Sequence, residues 1–120
     1  MALPAPSADS AALVTGASSG IGIDLARELA QRGHNLVLVA RRKERLDEVA
    51  AELRSDSVRV ETIACDLADP AARDALPAQI AELGLTVSIL VNNAGYGSPS
   101  RPAIQILNWK PAVDRASVPP

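Results

Sequence analysis

Thr15-Gly16-Ala17-Ser18-Ser19-Gly20-Ile21-Gly22 decides the fold, because this run follows an apolar strand-like segment and opens a helix-like one. That is the setting a phosphate-binding turn requires. The preceding Ala11, Ala12, Leu13 and Val14 are apolar without alternation, as in a parallel strand buried on both faces. After the run, Ile21, Leu25 and Leu29 recur at helical spacing with Ala26 and Ala30 beside them, and Gly33 stands where a C-terminal cap belongs. Glycines spaced Gly-x-x-x-Gly-x-Gly suit a backbone that must turn tightly, approach an anion, and then let its helix pack close to the strand. Amides at the helix N-terminus would face the anion, and the hydroxyls of Thr15, Ser18 and Ser19 would add hydrogen bonds without any metal. The competing reading is a plain Gly/Ser connector, which the flanking strand and helix argue against.

Strand and helix signals alternate onward. Residues 35–40 read Asn-Leu-Val-Leu-Val-Ala, a second buried strand, followed by Arg41 and Arg42. Leu46, Val49, Ala50 and Leu53 give the 44–54 stretch one apolar helical face. Residues 58–64 alternate as an outer strand with one wetter face. Asp69-Pro70 reads as an N-cap with proline at the first helical position, opening a helix over 69–83. Pro77 inside that stretch predicts a kink or two short helices. A last strand covers 86–91. The fold class is α/β: a doubly wound, Rossmann-like parallel sheet cut to about four strands and three helices, since each strand-helix unit takes roughly 30 residues. With no phenylalanine, one tyrosine and one tryptophan, the core must rest on Ala, Val, Leu and Ile.

The 15–22 run resembles the cofactor loop of the short-chain dehydrogenase/reductase family, Thr-Gly-x-x-x-Gly-x-Gly. Asn92-Asn93-Ala94-Gly95, after the strand, is similar to a second family element at the expected distance. The resemblance covers residues 10–98 and implies that Thr15, Gly16, Ser18, Ser19, Gly20, Ile21 and Gly22 hold a dinucleotide. It also sets Asp66 and Leu67 against the adenine ring, although Asp66 reads equally as a loop or cap aspartate. Asn93, Ala94 and Gly95 would belong to the cofactor site, Ala94 and Gly95 under the adenosine ribose and the asparagines mainly tying the central strand to its neighbours. An acid about 20 residues past the glycine turn would mark NAD. Here Arg41 and Arg42 stand instead, and a guanidinium pairs with a 2′-phosphate, so NADP(H) is expected over NAD(H). The alternative is a solvated basic turn.

The resemblance implies alcohol/carbonyl interconversion by hydride transfer, with a Tyr-x-x-x-Lys pair handling the proton. The only tyrosine, Tyr96, has no lysine four residues on, and Lys43 and Lys110 are the only lysines. No catalytic residue is assigned. The expectation is therefore an NADP(H)-binding portion of such an oxidoreductase, inactive alone and acting on an unidentified alcohol or carbonyl compound. The alternative is a non-enzymatic dinucleotide-binding fragment or interaction module.

The organisation expected is a tail at 1–9, a dinucleotide-binding half-domain at 10–98 and a proline-rich tail at 99–120. Five of the nine prolines fall in that last stretch, so it should offer no regular strand, only a short amphipathic turn around 103–110. It reads either as non-family sequence from a truncated or frame-shifted product or as a segment that docks on a partner. Without a covering strand, the outer edge of 86–91 would template self-association. A net charge of −2 and no aromatic platform beside the basic cluster argue against nucleic acid. No stretch reads as a membrane span or signal peptide, so the cytoplasm is expected. Lone Cys65 and His34 have no partners for a disulfide or a metal.

Overall fold

The computed structural model describes residues 3–18, 20–93 and 103–109. Its elements are β1 (Ser10–Thr15), α1 (Gly20–Gln31), β2 (Asn35–Ala40), α2 (Lys43–Leu53), β3 (Val60–Ala64), α3 (Pro70–Glu82), β4 (Thr86–Asn92) and β5 (Ala103–Trp109). The sheet order is β3-β2-β1-β4-β5, in which β1 to β4 run parallel and β5 lies antiparallel to β4. The chain thus winds outward from β1 to β3, then crosses to the other side of β1 for β4. This reversal puts a crevice at the carboxyl ends of β1 and β4, where such sheets bind ligands.

Strand geometry sorts the core onto two faces. Ala12, Val14, Leu36, Leu38 and Val60 meet Ile23, Ala26 and Leu29 of α1 and Leu46, Val49 and Leu53 of α2. Ala11, Leu13, Val37, Val39 and Ile63 meet Leu76 and Ile80 of α3 on the other face. An extra residue, Ser88, bulges β4 against β1, so Val87 joins the α3 face while Ile89 joins the α1 face. The Ser88 hydroxyl donates to the Ala11 carbonyl at 3.4 Å, satisfying a polar group that the bulge buries.

Helix ends follow the sequence closely. Gly33 takes φ +90°, its N–H reaching the Ala30 carbonyl and that of His34 reaching Leu29, the paired bonds of a Schellman stop. Asp69 caps α3 by accepting from the Ala71 N–H at 3.1 Å. The α3 helix runs as one element through Pro77, not as two short helices. One hub was not anticipated: buried Asn35 directs its amide to the carbonyls of Ser7, Ala8 and Ser10 and accepts from the Arg59 N–H. It fastens the N-terminal segment and the approach to β3 onto β2.

The principal correction concerns the far edge. The described residues form five strands where about four were expected, because residues 103–109 pair with β4, with Ala103 opposite Asn92 and Trp109 opposite Val87. The prolines of the segment bound this strand and do not interrupt it: none falls between Pro102 and Pro111. The period-2 spacing of Ile104 and Ile106 outweighed the helical reading. The outer edge of β4 is therefore covered. On β5, Ile104, Ile106 and Trp109 remain exposed, and Ile104 closes an apolar groove of about 290 Å³ with Leu3, Leu25, Leu29 and Val91.

Candidate functional site: the crevice at the carboxyl ends of the strands

Three glycines of the loop do three different things. Gly16 turns the chain with φ +63° directly after β1. Gly20 opens α1 with nothing within 4 Å of where a Cβ would stand, so the backbone there is free to meet a ligand. Gly22 is buried: a Cβ would collide with the Gly16 carbonyl oxygen and stand 2.8 Å from the Asn93 Nδ2. Close helix-on-strand packing therefore requires glycine at that point. No acidic side chain lies in the first turn of α1, which leaves its amides and positive dipole end unneutralised for an anion. Ile21, 57% exposed, stands beside them as a large apolar side chain open to solvent.

Around this turn the loop is stitched to both neighbouring strands. The Ala17 N–H donates to the Val39 carbonyl at 3.2 Å, and the Asn93 amide Nδ2 donates to the Gly16 carbonyl at 3.2 Å. Buried Thr15 turns its hydroxyl toward β4, where it accepts from the Asn93 N–H at 3.0 Å and lies near the Val91 and Asn92 oxygens. These contacts tie the loop to β4 and to Asn93 just beyond it. Ser18 is half-buried in the loop. Ser19, Ala94 and Gly95 lie outside the described residues, as does Tyr96.

At the end of β2 the basic cluster divides. Arg45 pairs with Glu48 at 2.9 Å, and Lys43 pairs with Asp47 at 3.1 Å. The guanidinium groups of Arg41 and Arg42 are exposed and make no ion pair or hydrogen bond among the described residues. Both residues follow directly on the carboxyl end of β2, the strand beside β1 in the sheet. At the end of β3, Asp66 is exposed and its carboxylate accepts from the Ala68 N–H at 3.0 Å, while half-buried Leu67 packs toward the α3 face. Burial pushes the thiol of neighbouring Cys65 up, and the charges of Asp66 and Asp69 add to this, so it stays protonated. Among the described residues, no group of His, Cys, Asp or Glu could hold a metal ion, and no helix is long and apolar enough to cross a membrane.

The sequence reading missed Thr62, whose hydroxyl bonds Asp47 across from β3. Nothing in the spacing of two residues fifteen apart on different elements announces that contact. The parts present fit a dinucleotide: an open glycine at a helix N-terminus, two guanidinium groups without a partner among the described residues, and Gly22 where helix and loop come close.

Comparison with known proteins agrees with this geometry. The sequence model of the short chain dehydrogenase family matches residues 10–115, past the point at residue 98 where recognisable motifs end. Sulfoacetaldehyde reductase 2 of Chromohalobacter salexigens is 40% identical over 104 residues, covering 85% of this chain and 41% of that protein. A short-chain dehydrogenase from Sphingobium yanoikuyae, solved in complex with NADPH, is 49% identical with a TM-score of 0.62, over 72% of this chain and 34% of that one. L-Sorbose reductase from Gluconobacter frateurii, complexed with NADPH and L-sorbose, is 40% identical with a TM-score of 0.69, over 81% of this chain and 37% of that one. The chain spans roughly a third to two-fifths of the length of these relatives. Matched along most of its own length by the family's sequence model, and carrying the glycine turn and sheet order that its motifs predict, the chain belongs to the short chain dehydrogenase family.

Proposed function

We propose that this chain is the NADP(H)-binding portion of an oxidoreductase that interconverts alcohols and carbonyl compounds, and that the 120 residues have no turnover by themselves. The observation that carries the cofactor is the pair of guanidinium groups, Arg41 and Arg42, exposed and without a partner among the described residues, just past β2 where an acid would select NAD. Support comes from the family neighbours solved with NADPH. The α1 amides with Ser18 and Ser19 would hold the pyrophosphate, Arg41 and Arg42 the 2′-phosphate, and Asp66 and Leu67 the adenine. Asn93, Ala94 and Gly95 would border the adenosine ribose, and Thr15 would act by fixing the loop to β4. Bound nicotinamide dinucleotide supplies hydride transfer. The chain's own groups bind and orient; none is placed to move the proton, because the only tyrosine lacks a lysine four residues on. That same lack favours the second reading, a dinucleotide-binding module without chemistry.

Calorimetry with NADPH and NADH tests the cofactor. One charged hydrogen bond contributes about 1.5 to 3 kcal/mol, so NADPH should bind roughly tenfold or more tightly, and Arg41→Ala should remove most of the difference. Equal affinities would overturn the assignment. An absorbance assay over alcohols and carbonyls should give no rate above background; a rate lost on Gly20→Trp would show that the chain is catalytic.

A further inference from the structure

Arg41, Arg42 and Lys43 are consecutive, yet among the described residues only the third cation is held in an ion pair. Lys43 is the first residue of α2, and its Nζ donates to both carboxylate oxygens of Asp47, at 3.1 and 3.3 Å. It also lies 3.4 Å from the Thr62 Oγ1, and the Thr62 hydroxyl donates to the Asp47 Oδ1 at 3.0 Å. Two residues of α2 and one of β3 therefore close a ring of hydrogen bonds. The neighbouring Arg45–Glu48 pair is a simple two-member contact on the same helix. Hydrogen bonds from Lys43 and then Thr62 hold the Asp47 carboxyl below the usual carboxylate range, in keeping with a carboxylate committed to these donors.

Release from the ring would leave Lys43 as an ammonium at the positive end of the α2 dipole, an unfavourable place for a cation without an anion. Its flexible four-carbon stem would let it join Arg41 and Arg42. We propose that Asp47, braced by Thr62, withholds Lys43 from a 2′-phosphate bound at Arg41 and Arg42, and so sets how strongly the chain prefers a 2′-phosphorylated adenosine ligand. This deepens the NADP(H) reading above and rests on it. Asp47 and Thr62 are positioning residues: they act on the phosphate through Lys43.

Adenosine 2′,5′-bisphosphate and adenosine 5′-monophosphate isolate the 2′-phosphate from the nicotinamide half. Calorimetry on the 120-residue chain should show Asp47→Asn tightening the bisphosphate about two- to fivefold, as for one newly recruited, solvent-exposed charge, with the monophosphate unchanged. The gain should disappear in the Lys43→Met/Asp47→Asn double variant, and Thr62→Val should reproduce part of it. Mass-spectrometric mapping of amine acylation gives a second readout: the bisphosphate should protect Lys43 in Asp47→Asn and not in the unmodified chain. No change in affinity with Asp47→Asn, an equal gain for the monophosphate, or a gain that survives in the double variant would overturn the proposal. If the unmodified chain binds the two ligands equally, or Arg41→Ala leaves the preference intact, the Arg41 reading fails and this one with it. If Arg41→Ala abolishes the preference while Asp47→Asn does nothing, this proposal alone fails.

Discussion

His34 is 2% exposed at the start of β2, and its Nδ1 has no hydrogen-bond partner among the described residues. Burial, and then the charge of Arg32, pushes its pKa below the ordinary 6.5, so the folded chain keeps the imidazole neutral while the unfolded chain protonates more readily. Between the lowered folded value and about 6.5 the unfolded state binds more protons, so stability is held above that window and lost as pH falls through it. Denaturant melts should show the unmodified chain losing more stability than His34→Leu between neutral pH and pH ~5. At neutral pH the leucine should cost little, since it replaces a polar atom with no partner. Parallel pH profiles would refute the burial argument. At this scale the sequence was legible where backbone geometry leaves one choice: Gly16, Gly22 and Gly33 each occupy the place their spacing implied. It was less legible where a side chain has several partners within reach. Asp47, read as a solvated charge, bonds Thr62 on another element, and the three carbonyls gathered by the Asn35 amide were not foreseen at all.

Strands and helices from 10 to 92 were readable because apolar periods mark them and several ends carry a signal, Gly33 and Gly84 as stops and Asp69 as a start. The 103–109 strand was not readable, because proline density described its flanks while its pairing depends on β4, which no local pattern reveals. Docking of this element rests on its ladder to β4 and on Ile104, which faces the groove shared with Leu25, Leu29 and Val91. Ile104→Asp puts a carboxylate against that apolar lining, where desolvation opposes it. The expected outcome is loss of β5 with β1 to β4 retained, read as hydrogen exchange accelerating in the β4 amides while β1 and β2 stay protected. Unchanged β4 protection would mean that β5 is held by something other than this contact.

Across the whole molecule, the edge liability has moved outward without vanishing. The outer side of β5 has no strand partner among the described residues, carries no charged residue, and is flanked by exposed Ile104, Ile106 and Trp109. Such an edge templates pairing with another copy. We expect light scattering to find dimers or larger species of the purified chain, and Gln105→Lys, an edge charge on an exposed position, to shift them toward monomer. A monomer at high concentration would remove the argument. The placement of Trp109 has a practical corollary. It is the only tryptophan in the chain, opposite Val87 on the last strand, so selective excitation of its indole reports on β5 alone. Fluorescence and circular dichroism then become two separate clocks for one molecule. If β5 peels from β4 before the rest unfolds, the emission shifts ahead of the ellipticity, and the order in which the sheet comes apart is read without introducing a label.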